Sequence, residues 1–274
     1  MVDLTGAFDM HVHAAPDVVP RRLDDLELAR RARDAGLAGV LLKSHHGSTV
    51  ERALLATQAV PGARVFGGLV LNDPVGGLNP AAVETALRLG AREIWMPTQA
   101  AWNHRRFYGE GNGMRILDAA GQLRPEVHEI LRLIATADVI LGTGHLSGAE
   151  IEVLVTAALA AGVRKVLITH PETHLTWLDV EAQRDLARRG VFFERCLLST
   201  RPDGGSVSVG QIAEHIRQVG AGSTVLATDY GQPHNPCPVD GLRAFVAGLR
   251  AEGISERDLE VMTKVTPRML LGAP

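Results

Sequence analysis

Two histidines one residue apart, His11 and His13 in Phe8-Asp9-Met10-His11-Val12-His13, are the first residues in this chain whose type and spacing could do chemistry. The run is closed by Ala14-Ala15-Pro16 and reads as a short strand. Side chains two apart on a strand point the same way, so both imidazoles, with Asp9 behind them, face one side. Two neutral imidazoles meeting at a point supply half of a metal site. Three more candidate ligands follow short apolar runs: His145 after Val139-Ile140-Leu141-Gly142-Thr143-Gly144, His170 after Val166-Leu167-Ile168-Thr169, and Asp229 after Val225-Leu226-Ala227-Thr228. Four imidazoles and a carboxylate suit a borderline-soft divalent ion, zinc first, with manganese, iron or nickel less specific choices.

A scaffold has to gather these residues from opposite ends of the chain. Eight apolar runs read as strands: Ala7–His13, Gly39–Lys43, Val65–Leu71, Glu93–Met96, Val139–Gly142, Lys165–His170, Val191–Cys196 and Thr224–Asp229. Most are rich in Val, Ile and Leu without clean alternation, as expected of parallel strands buried on both faces. The stretches between them carry helix-start signals. Ser48…Glu51, Ser147…Glu150 and Ser208…Gln211 fit the capping box, and Pro125 suits a first helical position. Leu23, Leu26, Arg30 and Arg33 have the apolar-in, charged-out spacing of an outer helix.

Eight alternating units in 274 residues predict a (β/α)8 TIM barrel of the α/β class, a single domain spanning residues 1–274. The rival, a doubly wound open sheet, lacks a Gly-X-Gly-X-X-Gly after the first strand. Barrel active sites form at the C-terminal ends of strands. His11, His13, His145, His170 and Asp229 all fall there.

Composition narrows the function classes. With 46% hydrophobic and 22% charged residues and a formal net charge of −3, the chain has an ordinary globular balance. No basic stripe interleaved with aromatics is present, so nucleic acid is not an expected partner. Cys196 and Cys237 make no disulfide framework, nothing before Asp9 resembles a signal peptide, and no apolar run spans a bilayer. These features predict a cytoplasmic protein without a membrane partner. Barrels of this size often pair through outer helices, so a homo-oligomer is one expectation.

The arrangement resembles the amidohydrolase superfamily of metal-dependent hydrolases. The resemblance rests on the His-X-His of strand one, single histidines after strands five and six, and an aspartate after strand eight, and it spans nearly the whole chain. Lys264-Val265-Thr266-Pro267-Arg268-Met269-Leu270-Leu271-Gly272 is similar to the C-terminal helix such enzymes often carry. The resemblance implies that His11, His13 and Asp229 hold one divalent metal. His145 and His170 hold a second, or one ligates the first metal while the other polarises the substrate. Asp229 doubles as general base toward metal-activated water, and the expected cofactor is one or two ions, Zn2+ first.

The chain departs from that pattern at strand four, where two-metal members carry a bridging lysine or glutamate. Glu93 lies too early on its strand to reach the mouth. Lys43, ending strand two, and Glu194, on strand seven beside Arg195, are the candidate substitutes, and the metal number stays open. His45 and His46 also resemble the additional histidines of the polymerase-and-histidinol-phosphatase (PHP) family, whose later motifs are missing.

The connection from Pro97 to Arg124 is unusually long and follows a strand, so it should lie over the mouth. Trp102 and Tyr230 are expected to form an apolar wall. Arg105, with Arg106 and Arg201 as alternatives, is expected to clamp a small anionic substrate. His45 shares the strand parity of Lys43 and is a further substrate-binding candidate. His104, His128 and His215 read as surface groups.

The expected activity is hydrolysis of a small amide, cyclic amide, lactone or ester, with Asp229, His170 and Lys43 as catalytic residues. Deamination, non-oxidative decarboxylation, a PHP-type phosphoesterase and a catalytically inactive binding barrel are the alternatives.

Overall fold

Short runs of Val, Ile and Leu form nine parallel strands: β1 Phe8–Val12, β2 Gly39–Leu42, β3 Val65–Phe66, β4 Gly68–Val70, β5 Glu93–Trp95, β6 Ile140–Gly142, β7 Val166–Thr169, β8 Phe192–Cys196 and β9 Thr224–Ala227. The computed structural model describes residues 2–202, 204–205 and 207–273. Helices alternate with the strands: α1 Asp25–Asp34, α2 Val50–Ala59, α3 Pro80–Leu89, α4 Trp102–Tyr108, α5 Pro125–Ala137, α6 Gly148–Ala160, α7 Val180–Arg188, α8 Val209–Val219 and α9 Pro238–Ala251. Two short helices, α10 Glu256–Glu260 and α11 Thr266–Leu271, complete the chain, with a π-helical turn at Val261–Val265 between them.

The strands pair in the order β1-β2-β3 and β4 through β9. β3 and β4 are one barrel strand broken at Gly67. There the start of α2 packs so closely that a Cβ would stand 2.5 Å from Val50 Cα. The Thr49 hydroxyl enters the gap, donating to Leu42 O at 2.8 Å and accepting from Gly68 N at 2.9 Å, so a side chain replaces part of the ladder. This also explains why the Ser48…Glu51 cap is not used: Thr49, not Ser48, precedes the helix, and its hydroxyl serves the sheet. The other two capping boxes form at Ser147 and Ser208.

The ring closes between β9 and β1. Asp229 N donates to His11 O at 2.9 Å, and His13 N donates to Tyr230 O at 2.8 Å. Asp9 seals the same seam by accepting from Thr228 N at 3.0 Å and meeting the Thr228 hydroxyl at 2.6 Å. The result is the eight-stranded (β/α)8 barrel that the alternating pattern predicts.

Phe8, Met10, Leu41, Trp95, Leu167 and Val225 pack inside the barrel, with Leu270 and Leu271 of α11 joined to the same cluster. The outer helices bury larger apolar clusters against the strands' outer faces. On α1 the buried face is Asp25, Leu28, Ala29 and Ala32, and Leu26 is exposed, so the helix is turned relative to the face inferred from Leu23 and Leu26. A bulge between Asp9 and Val12 sets three residues of β1 against two of β2. It lets Met10 join the interior cluster while the adjacent His11 turns toward Asp229. No helix among the described residues is long and apolar enough to cross a membrane.

Candidate metal centre

His11 is the next-to-last residue of β1 and His13 follows the strand directly, while Asp229 lies two residues past β9. The seam hydrogen bonds bring these strand ends together. His11 Nε2 and His13 Nε2 each stand 3.1 Å from Asp229 Oδ1. All three residues are buried, and His11 Nε2 has no hydrogen-bond partner. Ligands about 2.1 Å from one ion lie about 3.0–3.4 Å apart, so the donor set and its spacing fit a divalent metal. Asp229 and His170 hold left-handed backbone conformations, with φ of 55° and 33°. Such geometry in a residue other than glycine costs on the order of 1–3 kcal/mol and concentrates at functional sites.

Four histidines of the cavity, His11, His170, His145 and His45, share one design. Each is tethered through Nδ1, which leaves Nε2 as the outward lone pair. Glu194 Oε2 holds His11 Nδ1 at 2.9 Å, and the Thr173 hydroxyl holds His170 Nδ1 at 3.1 Å. His104 Nδ1 meets His145 Nδ1 at 2.8 Å, and the Thr98 hydroxyl meets His45 Nδ1 at 2.8 Å. The rings form one cluster: His145 lies 5.0 Å from His170, His170 6.2 Å from His11, and His45 5.0 Å from His13 between centroids.

Burial keeps most of these imidazoles neutral, the form that binds metal. It pushes the pKa of His13 down to about 4 and of His170 to about 3, and holds His45 and His145 well below the usual range. Burial also disfavours charge on His11, but the Asp229 and Glu194 carboxylates outweigh it and raise its pKa to about 9. For Asp229 burial acts upward, yet His11 and His13 beside it hold the carboxyl well below the ordinary value. A protonated His11 makes an ion pair with Asp229 at 3.1 Å, and a cation binding there would displace the imidazole proton.

These groups line the inner part of a cavity of about 540 Å3. Lys43 lines it too, almost fully buried, its Nζ without a hydrogen-bond partner and 5.4 Å from the centroid of the Trp95 ring. Glu93 does not line it and is buried inside the barrel, where burial and then Glu194's charge raise its pKa. Glu194 stands behind His11, on the Nδ1 side away from Asp229. Arg195 points the other way, to Glu172 and Gln183, and makes no pair with Glu194.

Three substrate-binding expectations are corrected. Trp102 is outside the cavity, covered by the guanidinium groups of Arg106 and Arg115 at 4.9 and 3.6 Å. Arg105 is turned outward to Asp73 and the carbonyl of Asn112, and Arg106 and Arg201 also lie off the lining. Tyr230 is buried behind β9 with its ring against Gly241 of α9. The reason is helical. The connection after β5 contains α4, and the face it turns to the cavity is His104, Phe107 and Tyr108. That i, i+3, i+4 spacing is readable in the sequence, and it would have moved His104 from the surface into the site. Arg21, in the loop after β1, also lines the cavity and is among the lining residues without a signal in the sequence.

A model of DUF6282, described as a family of unknown function, matches residues 6–194. The chain belongs to the DUF6282 family. The matched segment holds every candidate site residue named so far except Arg201, Asp229 and Tyr230. No curated protein matches this DUF6282 chain in sequence. Among solved structures it is similar to an amidohydrolase from Pseudomonas aeruginosa, with 13% identity, a TM-score of 0.69, and coverage of 97% of this chain and 95% of that one. It is also similar to a putative 2-pyrone-4,6-dicarboxylic acid hydrolase from Pseudomonas putida, at 19% identity and a TM-score of 0.61, covering 99% and 98%. A 2,6-dihydroxybenzoate decarboxylase from Rhizobium matches at 14% identity and a TM-score of 0.58, covering 98% and 99%. This DUF6282 member shares the fold of these solved structures along nearly its whole length.

Proposed function

We propose that this protein is a metal-dependent hydrolase of small amides, cyclic amides, lactones or related esters. One observation carries the reading: the Nε2 atoms of His11 and His13 meet a single oxygen of Asp229, buried at the inner end of a cavity. A divalent ion bound there, Zn2+ by its donor set, would supply Lewis acidity to water and to the substrate carbonyl. His11, His13 and Asp229 would hold it, with His170 and His145 as the next donors.

The chain's own groups do the rest. Asp229 stays ionised and is placed to accept the proton of the attacking water, then return it to the leaving group. Lys43 Nζ, buried and without a hydrogen-bond partner, is a donor to negative charge developing on the carbonyl oxygen. His45 borders the same space, tethered by Thr98. The α4 face of His104, Phe107 and Tyr108 shields the reacting groups from bulk water.

Two measurements test the reading. Elemental analysis of protein purified without chelator should find a divalent metal. In a screen of amides and lactones, Asp229→Asn should keep most of that metal and lose turnover. A metal-free protein, or an Asp229→Asn variant with full activity, would overturn it.

A further inference from the structure

Arg21 sits in the loop between β1 and α1 and lines the cavity beside His13. Its side chain is only 6% exposed, so the guanidinium is fixed in the wall. Nε and Nη2 both stand 2.8 Å from Asp17 Oδ2. Asp17 is itself held from behind: Oδ1 accepts from Val18 N at 2.7 Å and lies 3.2 Å from His46 Nδ1. Among the described residues the guanidinium makes no other hydrogen bond, which leaves the end-on edge of its fork for whatever occupies the cavity.

Asp17 balances the Arg21 charge from behind and does not itself line the cavity. Asp229 is the only acidic side chain among the described lining residues, and it belongs to the metal centre. Arg21 and Lys43 are basic, and a divalent ion would add further positive charge. Val19, Leu198, Phe107 and Tyr108 supply apolar surface between the two ends. Resting on the hydrolase reading, we propose that Arg21 anchors a carboxylate on the substrate, so that the substrates are small acyl compounds with a free carboxylate remote from the bond that is cut. A planar fork held on one edge by Asp17 matches a carboxylate on the other in a way a flexible lysine does not.

Calorimetric titration of the protein as purified tests this without turnover, using benzoate and hexanoate against their neutral amides, benzamide and hexanamide. Wild type should prefer each carboxylate. Arg21→Met should weaken carboxylate binding by about 10- to 100-fold and leave the amides unchanged, with Arg21→Lys between them. Arg21→Gln replaces the methionine variant if thermal melting shows the latter unfolded. Equal carboxylate affinity in wild type and variant, or a wild type that does not prefer carboxylate to amide, would overturn the proposal. Because binding is read directly, Arg21-dependent carboxylate binding in a protein with no hydrolytic activity would defeat only the hydrolase reading.

Discussion

Nδ1 of His104 stands 2.8 Å from Nδ1 of His145, and the two rings stack with centroids 4.9 Å apart. Burial lowers the pKa of both residues, so the contact joins two neutral rings, one donating and the other accepting. If His145 offers the Nε2 lone pair to a metal, its proton sits on Nδ1 and His104 accepts it. His104→Ala should then weaken metal binding by about 10- to 100-fold, the effect of losing a partner that orients a ligand. Competition with a chromogenic chelator measures this. Unchanged affinity would mean that His145 does not ligate.

Lys43 separates two roles by its own substitution. As a donor to developing charge, it should lower turnover by about 100- to 1,000-fold in Lys43→Met while metal content is preserved. As a bridging group it would take metal with it. Parallel metal analysis and kinetics of the one variant decide between them.

The buried imidazoles predict an acid-sensitive protein in the metal-free state. His13, His45, His145 and His170 all have pKa values lowered by folding. The unfolded chain accepts protons near pH 6.5 that the folded one refuses, so stability is full above that pH. It is lost as pH falls toward about 4 for His13 and about 3 for His170. Each such residue costs up to about 1.4 kcal/mol per pH unit in that window. His11, raised to about 9, acts oppositely: its contribution is present below about pH 6.5 and fades as pH climbs past 9. Between pH 7 and 4.5 the four lowered histidines outnumber Asp9 and Glu93, whose raised pKa values act the other way there, so the Tm of chelated protein should drop. A level or rising Tm would contradict the assignment.

Asp9 carries the opposite sign from the four lowered histidines. Burial raises its pKa to about 7 against the pull of its hydrogen bonds to Thr228 and His11. The stability it contributes is therefore present below its ordinary value of 3.8 and lost as pH rises to about 7. Asparagine can reproduce every bond, accepting from the Thr228 and His11 amides and donating to the Thr228 hydroxyl. Asp9→Asn should be at least as stable as wild type at pH 8, with unchanged metal content. A loss above about 2 kcal/mol, the range of a broken buried network, would show that the carboxylate itself is needed.

The positions of His11, His13, His145, His170 and Asp229 at strand ends were legible because each depends on local pattern: a buried apolar run, its length, and the loop after it. The same local logic reads the barrel from its alternation and two of three capping boxes from their spacing. It failed at α4, where residues treated as an irregular loop formed a helix, so the cavity wall passed from Trp102 and Arg105 to His104, Phe107 and Tyr108. Distances across the barrel are another matter. Glu194 lies behind His11, Lys43 Nζ has no hydrogen-bond partner, Tyr230 is buried, and Arg21 is pinned by Asp17. Each depends on how neighbouring strands are staggered and which way a loop folds back. No periodicity within one segment encodes the stagger between two, so the chain by itself named the candidate ligands, and only the closed ring of strands decided what surrounds them.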